Sequence, residues 1–131
     1  MEPLYCLAVA IFFEARAEPT MGMEAVANVV TNRVEDTRYP DTVCDVVWEP
    51  KQFSFTNDGL SDDPDSYVGY QDKIAWGVSQ EGAKEALSGN TLGISSTHYH
   101  ATYVLPFWVN HYSLDGKVGN HIFYTNNTEY R

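Results

Sequence analysis

Glu14 is the one carboxylate inside the apolar run Leu4–Ala15, and it heads the longer stretch LYCLAVAIFFEARAEPTMGMEAVANVVTN. At about 100° per residue, Leu4, Leu7, Ala8, Ile11, Phe12 and Ala15 share one broad stripe, while Val9, Ala10 and Phe13 make the other side apolar too. A helix that is apolar all round is buried. Glu14 projects almost directly above Leu7, two turns on, so its carboxylate belongs at the edge of the core, where desolvation favours the protonated form. A protonated carboxylic acid there suits general-acid work of the kind glycosidases do. The same position suits a core-edge carboxylate held by Arg16 or by a distant cation, because buried Glu is rare unless paired. Both readings fit these residues.

Imidazoles are the second candidate set. His98 and His100 are two apart in an alternating stretch, ISSTHYHATY, and so face the same way on a strand, while GNH places His121 on a neighbouring one. Three histidines with Glu14 and Glu18 have the donor chemistry of a zinc site, which makes a zinc-dependent amidase or peptidase the rival hypothesis. Against it, no HExxH or comparable spacing is present, so no metal or other cofactor is expected. Aromatic side chains are dense near these motifs, among them Tyr99, Tyr103, Phe107, Trp108, Tyr112, Phe123 and Tyr124. They suit a carbohydrate groove and a small β core equally, which keeps a non-catalytic carbohydrate-binding module as a third possibility.

The elements that must position these groups follow from periodicity and punctuation. Glu18 precedes Pro19, and a residue before proline is pushed out of the helical region, so the first helix is predicted to end near Ala17. Thr20 is placed as the cap of a second helix carrying Met23, Val26, Ala27, Val30 and Val34 inward, with Asn28, Asn32 and Arg33 making polar contacts to a loop. Thr42 and Asp45 form a capping box for a short helix through Trp48. From Lys51 to Asp72 the chain is rich in Asp, Ser, Gly and Pro and reads as a long loop. A third long helix is predicted over Asp72–Leu87, with Ile74, Ala75, Val78, Ala83, Ala86 and Leu87 inward and close packing or a kink at Gly77 and Gly82. The final third reads as strands, Ile94–Tyr103 and then two more around an Asp115–Gly116 turn. The fold class is therefore α+β, one domain over residues 1–131, with helices first and a small antiparallel sheet last.

A chain of 131 residues is long enough to bury a core without staples. A net charge of −10 argues against nucleic acid and anionic membranes as partners, and no apolar run has the length of a membrane span. MEPLYC lacks the positive start of a signal peptide, so export is expected to depend on something outside this chain.

FFEARAEPTMGMEAVANVVTNRV, YPDTVCDVVWEPKQFS, STHYHA and GNHIFY, in that order from about Cys6 to Tyr124, resemble the SleB-like cell-wall hydrolases, the spore cortex-lytic enzyme family. The resemblance implies a lysozyme-like fold and cleavage of the bond between N-acetylmuramic acid and N-acetylglucosamine, with Glu14 as the catalytic acid. The motif's usual Gly is Ala17 here, which asks for ordinary backbone geometry after the acid. The resemblance also implies that Gln52, Phe53 and Ser54, together with Thr97, His98, Tyr99 and His121, line the saccharide cleft, and that Glu18 is the one nearby candidate for a second carboxylate. A site with one acid fits a lytic transglycosylase better than a hydrolytic muramidase, which stays open as the alternative. The expected partner is the peptidoglycan glycan strand, met by a monomer acting on the cell wall in a periplasmic or extracellular space. Release as a phage lysin, or loss of a leader, would bring it there. In such an oxidising space Cys6 and Cys44, each at the first turn of a predicted helix, are expected to form a disulfide.

Overall fold

No residue between Cys6 and Phe12 carries a charged or strongly polar side chain, and every one of them is buried. They form the middle of helix α1 (Pro3–Ala15), opened by Pro3 at a position where a missing N–H costs nothing. The computed structural model, which describes all 131 residues, packs α1 against α2 (Thr20–Glu35), α3 (Val43–Val47) and α4 (Tyr70–Leu87). Leu7, Val9, Ile11 and Phe12 are fully buried, and at roughly 1.5–3 kcal/mol each they contribute on the order of 6–12 kcal/mol. Only the first turn, with Leu4 and Tyr5, emerges into solvent. The helix ends at Ala15, two residues before the expected Ala17, because the Glu18 amide turns back onto the Ala15 carbonyl (2.9 Å) ahead of Pro19.

Thr20 is the first residue of α2 and not its cap, since Pro19 takes the extended cap position. The predicted face of Met23, Val26, Ala27 and Val30 joins the core cluster of α1. Thr42 does cap α3, accepting the Asp45 amide at 3.1 Å. A disulfide ties Cys6 of α1 to Cys44 of α3 across 38 residues of chain. The buried face of α4 is narrower than the periodicity predicts: Ser79, Ala83 and Ala86 are buried, whereas Ile74, Val78 and Leu87 are exposed. Gly82 gives the reason, because a Cβ built on it would stand 3.7 Å from Ile11 Cδ1, so α4 meets α1 along a seam of small residues. Gly77 has open space around it.

The loop between α3 and α4 holds two short 3-10 turns, Ser54–Asn57 and Pro64–Ser66. Phe53 and Phe55 are buried, with Phe55 stacked on Phe13 at 5.1 Å, so the aromatic start of this loop is part of the core.

Strands β1 (His98–Ala101), β2 (Ser113–Val118) and β3 (His121–Thr125) make an antiparallel sheet in the order β1-β3-β2. Only four residues of the alternating stretch from Ile94 to Tyr103 are strand, because α2 takes the hydrogen bonds of its first half. Asn28 Oδ1 accepts the Ile94 amide at 3.0 Å, and Asn32 Nδ2 donates to the carbonyls of Ile94 and Ser96, both at 2.8 Å. Arg33 Nε donates to the Thr97 carbonyl at 2.9 Å. Three side chains of one helix thus fix where β1 starts, and Tyr99 is the second residue of that strand.

Asp115–Gly116 is a bulge inside β2, not the expected hairpin turn. The register slips between Leu114 and Gly116, and Gly116 has a φ of 144°. The turn is Gly119–Asn120, where Gly119 supplies the positive φ (59°) that a two-residue hairpin loop needs. Glu18 stabilises this choice, its carboxylate accepting the Asn120 amide at 2.8 Å and Asn120 Nδ2 at 3.2 Å. Asp115 is engaged within the sheet instead, accepting from Thr125 Oγ1 at 2.7 Å.

Candidate active site

Glu14 lies in the last turn of α1 and opens into a cleft of about 380 Å³ between that helix, the start of the long loop and the sheet. Gln52, Phe53, Ser54, Tyr99 and His121 line the cleft with it. Tyr99 comes from the inner face of β1, and its hydroxyl donates to Glu14 Oε1. Burial raises the Glu14 carboxyl above its ordinary value, while the Tyr99 bond and the charge of Arg33 pull the other way without undoing it. Tyr99 is pushed well above the ordinary phenol value, first by burial and then by the Glu14 charge and hydrogen bond. It therefore keeps its proton and donates. With Oε1 taken, the acid's own proton belongs on Oε2, which has no protein partner.

Arg16, the neighbour considered as a partner for Glu14, reaches Asp72 at 3.5 Å and lies over the Phe12 and Tyr67 rings. Ala17 has no positive φ, consistent with an alanine in place of the motif's glycine. Glu18 stands one layer behind the cleft, 3.2 Å from His121 Nδ1. At that distance the nitrogen makes no well-aligned hydrogen bond. Burial holds His121 below its ordinary value and Glu18 opposes it, so the ring is neutral at pH 7. Its centroid lies 5.0 Å from that of Tyr99, against which it packs edge to face.

Thr97 and His98 are not brought to this cleft. Thr97 is buried with its carbonyl on Arg33, and His98 lies on the outer face of the sheet, its ring centroid 4.3 Å from that of Tyr112 and 5.4 Å from that of Trp108. Pairing of Tyr99 with Phe123 and of Ala101 with His121 sets the inner face; His98 and His100 point the other way, where His100 meets the Tyr124 hydroxyl at 2.8 Å. Burial, with Arg33, Arg131 and Arg38 nearby, pushes His98 down to about 4. The three histidines that a zinc site would gather are thus divided between two faces of the sheet, and no three His, Cys, Asp or Glu side chains converge elsewhere.

Arg33 makes the expected loop contact, to the Thr97 carbonyl, and lines the cleft as well. Its signal was present: it falls two turns after Val26, on the apolar stripe of α2, where a cation is out of place unless used. Tyr103, just past β1, also lines the cleft and is highly exposed. A larger groove of about 460 Å³ runs between α2 and α4, past Glu24, Glu81 and Glu85. Its three glutamates are exposed, unlike Glu14 in the smaller cleft.

Helices gathered round one apolar helix and a short antiparallel sheet, with a desolvated carboxylic acid between them, make this a single α+β domain. The chain belongs to the cell wall hydrolase family, which residues 17–124 match. Over 94% of its length it is similar to the catalytic domain of the germination-specific lytic transglycosylase SleB from Bacillus anthracis, with 26% identity, a TM-score of 0.74 and 93% of that domain covered. The catalytic domain of the Bacillus cereus SleB protein is similar with the same identity and TM-score, 89% of it covered. The spore cortex-lytic enzyme of Halalkalibacterium halodurans is 29% identical over 119 residues, 89% of this chain, and that of Oceanobacillus iheyensis 45% identical over 53 residues, 40% of this chain. The matched stretches span only 33% and 19% of those two relatives.

Proposed function

We propose that this chain, acting as one catalytic unit, cleaves peptidoglycan glycan strands between N-acetylmuramic acid and N-acetylglucosamine as a lytic transglycosylase. The observation that carries this reading is the environment of Glu14: one desolvated carboxylic acid, oriented by Tyr99, in a cleft that no second carboxylate lines. Most glycosidases that use water or a protein nucleophile flank the bond with two carboxylates. Here Glu14 gives its proton to the glycosidic oxygen as the C1–O bond breaks. The resulting carboxylate then takes the proton of the muramic C6 hydroxyl, whose oxygen closes on C1 to form a 1,6-anhydro ring. The acid is regenerated without water. The likeness to a lytic transglycosylase catalytic domain over 94% of the chain supports the same chemistry.

A digest of purified glycan strands, read by mass spectrometry, tests this. Anhydromuramyl ends are expected. Reducing muramic ends would mean hydrolysis, and released stem peptides would mean an amidase.

The cleft rim makes a separate prediction. Gln52 and Ser54 are exposed at the cleft, whereas Phe53 beside them is 2% exposed and belongs to the core. Gln52→Ala should raise KM by about 2–10-fold, the worth of one neutral hydrogen bond, with an unchanged melting temperature. Phe53→Ala should instead lose about 3–5 kcal/mol of stability. Steady-state kinetics and thermal melts of the two variants separate binding from packing. An unchanged KM in Gln52→Ala would remove that side chain from the substrate site.

A further inference from the structure

Arg33 is a buried cation without a counter-ion. Its side chain is 5% exposed and lies over the rings of Tyr39 and Phe53, with guanidinium-to-centroid distances of 5.0 and 5.3 Å. Its only hydrogen bond runs from Nε to the Thr97 carbonyl at 2.9 Å, and Nη1 is sealed from solvent with no acceptor. No carboxylate stands within ion-pair distance; the four salt bridges of the chain use other residues. A guanidinium does not lose its proton, so this charge is permanent. Burying it unpaired is costly, which points to a use for the charge.

Its surroundings say what the use is. Arg33 lines the same cleft as Glu14, whose carboxyl senses its charge without touching it. Nη1 is closed to solvent, so a sugar cannot reach that nitrogen, and with no hydrogen bond or ion pair between Arg33 and Glu14 the influence of the cation on the acid is through the field. The other titratable side chains facing Glu14 are Tyr99 from β1 and His121 from β3, with Tyr103 further along the wall; His100 borders the cleft but turns its ring to Tyr124 on the outer face. Tyr99 keeps its proton and burial holds His121 below its ordinary value, so neither offers a fixed positive charge like that of Arg33.

Resting on the reading of Glu14 as the acid, we propose that Arg33 is a positioning residue whose fixed charge waits for the Glu14 anion. It goes unpaired while Glu14 is protonated, and stabilises the carboxylate formed when the proton passes to the leaving oxygen. The hydrogen bond from Tyr99 holds that carboxylate in place. The arrangement makes a desolvated acid strong enough to give up its proton, which burial alone would oppose.

The test is a carbon-13 titration of the Glu14 carboxyl in the parent, Arg33→Lys and Arg33→Gln, with kinetics on glycan strands alongside. Arg33→Gln removes the charge and retains an amide to meet the Thr97 carbonyl. The Glu14 midpoint should rise by about one pH unit or more in Arg33→Gln and stay near the parent's in Arg33→Lys. In Arg33→Gln kcat should fall about 10–100-fold with KM within threefold, and the alkaline limb of the pH–rate profile should move up with the midpoint. Preserved folding is checked by the amide spectrum; should Arg33→Gln not fold, Arg33→Met with the same readouts replaces it. An unmoved Glu14 midpoint overturns the proposal, as does a raised KM with unchanged kcat, which would make Arg33 a sugar-binding residue. The titration needs no substrate. An inactive parent whose midpoint still responds to Arg33 would overturn the proposed function and leave the electrostatic pairing standing.

Discussion

Glu14→Gln should leave a folded protein whose glycan-cleaving rate falls by at least about 10²–10⁴-fold, the usual contribution of general acid–base catalysis. Glutamine keeps the volume of the side chain and still accepts the Tyr99 hydroxyl bond through its amide oxygen, but it has no proton to give. A mechanism with one acid has no second group to carry the load. The same variant also makes a stability prediction whose sign follows from burial. The folded carboxyl holds its proton to a higher pH than the ordinary value of 4.5, so the folded state binds the extra proton in the interval above 4.5. The stability this gives is full below that value and is lost as pH rises through the folded midpoint. Above it the native state carries a desolvated anion that glutamine does not form. Thermal melts should therefore find the variant level with the parent near pH 4 and more stable at pH 7.5. A less stable variant at pH 7.5 would show that Arg33 and Tyr99 compensate ionised Glu14 in full. Native-rate cleavage by Glu14→Gln would move the chemistry to another residue.

Removing the disulfide should lower stability by about as much as Phe53→Ala while leaving the cleft untouched. Cys6 and Cys44 close a loop of 38 residues, for which the chain-entropy estimate is on the order of 3–4 kcal/mol. In a domain of this size that corresponds to a fall in melting temperature of roughly 10–15 °C. The double variant Cys6→Ala/Cys44→Ala should show it, and so should the parent melted in reductant. The bridge joins the first turn of α1 to α3, far along the helix from Glu14, so cleavage at low temperature should persist in the reduced protein. Counting thiols under denaturing, non-reducing conditions should give none; two would show that the cysteines are unpaired.

Local pattern was enough to place the acid and most of the helices. An apolar helix must be buried, so a lone carboxylate in its last turn must be desolvated, and that much about Glu14 needs no knowledge of its neighbours. The helix faces of α1 and α2 and the capping of α3 by Thr42 are likewise properties of short segments. The α+β order of elements follows from the change of period along the chain. Where two local signals were equivalent, tertiary contacts chose between them. Asp115–Gly116 is the turn that the local pattern predicts, and the Glu18 carboxylate, about a hundred residues earlier, holds Gly119–Asn120 as the turn instead. Asn28, Asn32 and Arg33 take the backbone of residues 94–97 and so set the register that turns Tyr99 inward and His98 outward. Since side chains alternate along a strand, that register decides which of Thr97, His98 and Tyr99 meets Glu14, and only the folded chain determines it. The field of Arg33 on the acid is of the same kind. A helix wheel marks a cation on a buried stripe, but the identity of the group it faces depends on how α2 packs beside α1.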